Sequence, residues 1–282
     1  MPNILVRTFS GLVYVALVVA PLYGGISAFV PIFAAFSALC VWEFGTLLNR
    51  HAGSQINRFI SAVAAVYLFL AFFVYTLGFT TAVIFVPYLA TLLYLLISEL
   101  YLAHANPLKN WAYAFAAQLY IALPFALLTI LAIQTNEDGH PYFNHTLPLA
   151  IFIFLWLSDT GAYLFGSSLS RFIPAKLFPR ISPNKSWIGT VGGIATAVGA
   201  GALISVCPAH GTFGLWQWMG FAAVVATFGT WGDLVESLLK RQLGVKDSGR
   251  IMPGHGGALD RFDSFLLAAP AALIYIYTLS QL

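Results

Sequence analysis

Charge is scarce in this chain, and so is cysteine. Only 8% of its 282 residues are Asp, Glu, Lys or Arg, where a soluble domain carries about 25%. So few charges cannot solvate a globular surface, which excludes an ordinary soluble fold. The two cysteines, Cys40 and Cys207, stand far apart, with no CxxC pair and no Cys/His cluster. That excludes a disulfide framework and a zinc site, and both read as packing residues. The formal net charge is only +3, and no basic face exists outside the loops, so nucleic acid is not expected as a partner. The first residues, MPNILVR, run into apolar sequence with no small-residue cleavage site ahead of a polar chain, so no removable signal peptide is expected. No internal repeat and no low-complexity segment is present.

What is there is apolar. Hydrophobic residues make up 60% of the chain and the mean hydropathy is +0.84. The pattern is that of an all-α polytopic integral membrane protein. Residues 8–48 form a nearly unbroken run of 41 residues, which as helix is roughly 60 Å, twice a hydrocarbon core of about 30 Å. Gly24-Gly25 and Pro31 lie near its middle and predict two spans joined by a tight turn. Residues 59–101 are again twice the needed length, with Gly78, Thr80, Thr81 and Pro87 at the break. Further spans fall at residues 111–133, 147–165, 188–206, 215–231 and 264–279. About nine transmembrane helices in one membrane domain, 1–282, are therefore expected. Spans one to five fill 1–145, and spans six to nine, with the polar loops, fill 146–282.

The basic residues orient this layout. With nine spans, all 13 Lys and Arg residues fall on the side of the N-terminus and of the loops that follow even-numbered spans. The opposite side carries Glu137 and Asp138 and no cation. The positive-inside rule makes the basic side cytoplasmic. The expectation is a multi-pass cell (inner) membrane protein with the N-terminus and polar loops inside and the C-terminal Leu282 outside. Most of the aromatic residues, 16% of the chain, read as lipid-facing or belt residues.

Residues 233–263, DLVESLLKRQLGVKDSGRIMPGHGGALDRFD, gather both signs of charge around Gly254, Gly256 and Gly257. A charged tail would carry one sign and repel itself. Alternating signs with glycines suit a folded polar site, in which carboxylates can hold metal, cations phosphate, and glycines permit close backbone approach to a ligand. A helix over 233–241 places Asp233, Glu236, Ser237 and Lys240 on one face. A solvated amphipathic helix would explain that face alone, but not Pro253-Gly-His-Gly-Gly followed by Asp260-Arg-Phe-Asp. One acid suffices to cap span nine, whereas Asp260 and Asp263 both stand at its start. His255, between glycines, reads as a general base or as a hydrogen-bond partner.

A second polar loop, residues 167–187, holds Arg171, Lys176 and Arg180 before Ile181-Ser-Pro-Asn-Lys-Ser-Trp. A positive-inside loop would explain the cations. Hydroxyls and a lysine just ahead of a helix also suit an anion. Asp159, in Trp156-Leu-Ser-Asp-Thr-Gly-Ala-Tyr, lies inside a span, where an acid is costly and function is the default reading. Glu43 and Glu99 read as ordinary acids near the cytoplasmic ends of their spans.

Ser237-Leu-Leu-Lys-Arg, Lys246-Asp-Ser-Gly and Pro253-Gly-His-Gly-Gly-Ala-Leu-Asp-Arg-Phe-Asp, in this order and spacing, resemble the signature of the phosphatidate cytidylyltransferase (CDP-diacylglycerol synthase) family. Ser158-Asp-Thr-Gly-Ala-Tyr and Ser182-Pro-x-Lys-Ser-Trp-x-Gly also look like motifs of that family. The resemblance is strong from Leu157 onward and rests on hydropathy alone in the N-terminal third. Many relatives read Ser-Pro-Lys-Lys-Thr-Trp-Glu-Gly where this chain has Asn184 and Ile188. The resemblance implies that CTP and phosphatidate give CDP-diacylglycerol and pyrophosphate at a cytoplasmic-face site, with Mg²⁺ as cofactor. It implies CTP, bilayer phosphatidate and membrane lipids as partners, and a homodimer would suit the family. Asp233, Asp260, Lys185, Lys246 and His255 are then the expected catalytic residues, with Asp233 and Asp260 as metal ligands. Asp159, Ser182, Lys185, Ser186, Ser237, Lys240, Arg241, Asp247, Gly256, Gly257, Arg261 and Asp263 are expected to bind substrate. Two alternatives stand beside this. One is cytidylyl transfer to another lipid phosphate or a polyprenol phosphate. The other is a proton-coupled transporter, which should place acids at the midplane and show repeated halves. Here the polar residues gather at one face.

Overall fold

The computed structural model describes residues 2–136, 138–206, 213–249, 251 and 256–280, with residues 2–7 by backbone alone. Helices dominate, in chain order α1 (Pro2–Tyr23), α2 (Ile26–His51), α3 (Arg58–Thr76), α4 (Val86–Leu102), α5 (Pro107–Ala116), α6 (Leu123–Ala132), α7 (Thr146–Leu169), α8 (Trp187–Ser205), α9 (Leu215–Gln242) and α10 (Leu259–Leu279). Among the described residues, seven helical segments are long and apolar enough to cross a membrane. They are α2, α3, α4 with the 3₁₀ turn before it, α5 through α6, α7, α8 and α10. The two other expected spans correspond to the shorter apolar part of α1, Thr8–Tyr23, and to the first half of α9, which carries charge at its other end.

Local chemistry sets the helix boundaries. The first long apolar run breaks at Gly25, whose φ of 73° is accessible to glycine at no steric cost. Pro31, the other breaker in that run, lies inside α2 instead. Asn57 caps α3 by accepting from Ile60 N at 3.1 Å, and Asn106 caps α5 by accepting from Lys109 N at 3.1 Å ahead of Pro107. The fifth expected span is not uniform, because α5 passes through a π-helical stretch, Ala117–Ala122, into α6. Pro124 lacks an N–H for the regular ladder just beyond it. Among the described residues, two antiparallel hairpins interrupt the helices: β1 (Ile133–Thr135) with β2 (Pro141–Phe143), and β3 (Lys176–Phe178) with β4 (Ser182–Ser186).

The chain divides into two compact units. The first holds Met1–His145 and Gln242–Phe262, the second Thr146–Arg241 and Asp263–Leu282. The first has an aromatic core in which Phe29 meets Phe33 at 4.8 Å and Phe69 at 5.9 Å between ring centroids. Phe262, at the start of α10, packs on Phe36 at 4.9 Å and Phe125 at 5.1 Å. This anchors the end of the segment 242–262 on α2 and α6.

The second unit relies on small residues. The α7–α8 crossing is built on Gly161, Gly189, Gly192 and Gly193, and a Cβ on Gly193 would stand 2.5 Å from Ser158 O. Such contact lets two backbones approach within van der Waals range, the usual basis of helix pairing in lipid. Phe152 stacks on Phe265 at 5.3 Å. Gly232 brings α9 against α10, where a Cβ would lie 2.5 Å from Asp263 O. The next residue along α9 is Asp233.

Candidate active site

Two polar clusters emerge, one in each unit. In the second unit, β4 carries Lys185 to Asp233 on α9, with Nζ 2.6 Å from Oδ2. Their side chains are 25% and 31% exposed, so the pair is shielded yet reachable. Ser237, one helical turn on from Asp233, donates to its Oδ1 at 3.0 Å. Lys240 Nζ lies 3.3 Å from Oε2 of the fully buried Glu236. Asp263 adds a third carboxylate that interacts with Asp233, Glu236 and Lys240. Ser186 is buried and accepts from Gly189 N at 3.2 Å, so it serves as the N-cap of α8. Arg241 Nε donates to Ile181 O at 3.4 Å, at the turn before β4. Ser182 begins β4 and pairs with Phe178. The polar loop expected at 167–187 is thus a hairpin that presents Lys185 to α9. Asp159 is exposed within α7, ten residues before its end at Leu169.

The first unit holds the glycine-rich part of the signature. Asp260 is buried in the first turn of α10, and its Oδ2 accepts from Ser248 N at 2.8 Å, Ser248 Oγ at 2.9 Å and Gly257 N at 2.8 Å. One carboxylate oxygen thus closes the loop on itself. Gly256 needs its φ of 83°, and a Cβ there would fall against the Asp260 carboxyl. Lys246 and Asp247 are exposed and line a cavity of about 680 Å³ with Trp42, Arg50 and His51. The main chain of Arg261 accepts from Tyr14 Oη at 2.9 Å. His255 lies outside the described residues.

From sequence Glu43 reads as an ordinary acid near the end of its span, and the structure buries it. It is 5% exposed, and its Oε2 accepts from Leu259 N at 2.9 Å. The signal was present, since an acid within an apolar helix is the same observation that singled out Asp159. Glu99 is buried and bonds His104 at 3.0 Å and Asn110 at 2.9 Å.

The carboxylates suit a hard divalent cation. Among the described residues no three His, Cys, Asp or Glu side chains form a metal-binding group. Magnesium does not require three, because it takes one or two carboxylates and completes its shell with water and phosphate oxygens. Asp233 offers a partly exposed carboxylate, with the acid Asp263 interacting beside it.

The sequence profile of the cytidylyltransferase family matches residues 5–279. The chain belongs to the cytidylyltransferase family. It is similar to the phosphatidate cytidylyltransferase of Staphylococcus aureus (strain COL), 44% identical over 137 residues, 49% of each chain. The protein of that name from Staphylococcus saprophyticus is 40% identical over 159 residues, 56% of each chain. The one from Staphylococcus epidermidis is 44% identical over 138 residues, 49% of each chain. The chain spans about half the length of the curated relatives it matches.

Proposed function

We propose that this cytidylyltransferase transfers the cytidylyl group of CTP to phosphatidate, giving CDP-diacylglycerol and pyrophosphate. The observation that carries the reading is the Lys185–Asp233 pair. It joins the Ser-Pro-Asn-Lys-Ser motif to the charged end of α9. An oxygen of the lipid phosphate attacks the α-phosphorus of CTP, and the bond from that phosphorus to the β-phosphate oxygen breaks. Both reactants are anions, so the protein's task is to hold them together and offset charge. Lys185 is placed to bind the nucleotide phosphates, and Ser237 keeps the Asp233 carboxylate in one orientation. Lys246 is a further candidate phosphate-binding cation, exposed in the cluster of the first unit. Asp233 in one cluster and Asp260 in the other are each proposed as a carboxylate ligand for Mg²⁺, which when bound would neutralise charge on the departing pyrophosphate. The acyl tails stay in the bilayer.

Asp260→Asn tests the ligand role. The amide oxygen can still accept from Ser248 and Gly257, so the loop stays closed while the carboxylate charge is lost. Turnover is expected to fall to background at every Mg²⁺ concentration. Near wild-type turnover with an unchanged Mg²⁺ dependence would reduce Asp260 to a loop anchor.

The N-terminus and the polar segments at Arg50, Lys109, Lys176 and Lys246 are proposed to be cytoplasmic, with Asp138 and the C-terminus on the other side of the cell membrane. Single cysteines at Lys109 and Lys176 should then react with an impermeant thiol reagent from one side, and one at Asp138 from the other. Labelling of Lys109 and Lys176 from opposite sides overturns this arrangement.

The acceptor is tested by incubating the purified protein in vesicles with CTP, Mg²⁺ and a panel of lipid phosphates. Phosphatidate should give a CDP-lipid. A product with polyprenyl phosphate and none with phosphatidate would favour the other acceptor. The transporter alternative draws no support from the family match.

A further inference from the structure

We infer that Glu43 is a positioning residue: its buried carboxylate holds the segments 246–249 and 256–259 in the form that presents Lys246 and Asp247. The inference rests on the proposed cytidylyl transfer for its kinetic consequence, and on geometry for the rest.

Helix α10 begins at Leu259, and the residue before it is Ala258, which has no side-chain acceptor for the free N–H groups of the first turn. Glu43 supplies that acceptor from α2, 216 residues away, through Oε2 to Leu259 N at 2.9 Å. A negative charge there is also favoured by the helix dipole. The same carboxylate explains two glycines. A Cβ on Gly249 or on Gly257 would fall on the Glu43 oxygens. The close approach that these glycines permit is therefore to Glu43. Asp260 grips the same loop through Ser248 and Gly257. Two buried acids thus hold a loop whose exposed residues, Lys246 and Asp247, line the cavity with Arg50 and His51.

The test compares wild type, Glu43→Gln, Glu43→Ala and Gly249→Ala as purified full-length proteins. Two quantities are read: hydrogen exchange of peptides covering 243–259, and the KM for CTP against kcat. Glu43→Ala is expected to raise exchange across Ser248 and Gly257 at least tenfold and to raise the KM for CTP at least tenfold, with kcat changing less and thermal melting little altered. Glu43→Gln, which retains an acceptor for Leu259 N and nearly the same volume, should recover most of both. Gly249→Ala leaves α2 untouched and should reproduce the Glu43→Ala pattern, so the inference stays testable even if Glu43→Ala folds poorly. Unchanged exchange and unchanged KM in Glu43→Ala would overturn it. A lowered melting temperature with unchanged KM would also overturn it by making Glu43 purely structural. If wild type makes no CDP-lipid, the proposed reaction fails, and the exchange measurement alone still decides the role of Glu43.

Discussion

Asp233→Asn is expected to lower kcat at least a hundredfold, about 3 kcal/mol of transition-state stabilisation, while the protein still folds and inserts. The substitution keeps the shape and the hydrogen bond from Ser237, which can donate to an amide oxygen. It removes the charge that pairs with Lys185 at 2.6 Å. With the two side chains 25% and 31% exposed, their ion pair contributes at most about 1 kcal/mol to stability. A large loss of turnover therefore reports on chemistry rather than folding. Thermal melting and kcat, measured on the same preparation, separate the two. Near wild-type kcat would remove Asp233 from the reaction.

Lys185→Ala should lower kcat/KM for CTP by about 2–4 kcal/mol, if Lys185 meets the nucleotide phosphates as a desolvated charge pair. Without CTP the ammonium rests on Asp233, and the phosphates must draw it away or share it. On the proposed reading, losing Lys185 removes a phosphate contact and also leaves Asp233 without its ion-pair partner. The double variant Lys185→Ala/Asp233→Asn should be far less impaired than the sum of the two single losses, because residues in contact are not additive. An unchanged CTP dependence in Lys185→Ala would return the β3–β4 hairpin to an ordinary basic segment that only sets orientation.

Much of the helical layout is legible in the sequence, and the reason is physical. Apolar runs of twice the membrane thickness must break, and they do so at Gly25 and near Gly78, both with positive φ. Asn57, Asn106 and Ser186 mark helix starts because a side-chain oxygen there satisfies a free N–H. The helical face of Asp233 and Ser237 follows from spacing, and their hydrogen bond joins residues four apart. The rest depends on contacts that no local pattern encodes. Nothing near Lys185 announces that a hairpin will carry it to Asp233, because β3 and β4 are too short to show alternation. The glycines of the signature announce close approach but not what approaches. At Gly249 and Gly257 it is Glu43, from the other end of the chain. Asp260 likewise reads as a cap or a ligand from sequence, and its three-donor anchor appears only when Ser248 and Gly257 fold onto it.

The most direct measurement follows the phosphorus. Wild-type protein is given phosphatidate, Mg²⁺ and CTP labelled at the α-phosphorus or, in parallel, at the γ-phosphorus. Cytidylyl transfer predicts that the α label enters the lipid phase as CDP-diacylglycerol and the γ label stays in water as pyrophosphate, with both products absent in Asp233→Asn. Appearance of the γ label in lipid, or of neither label in any new product, would contradict it.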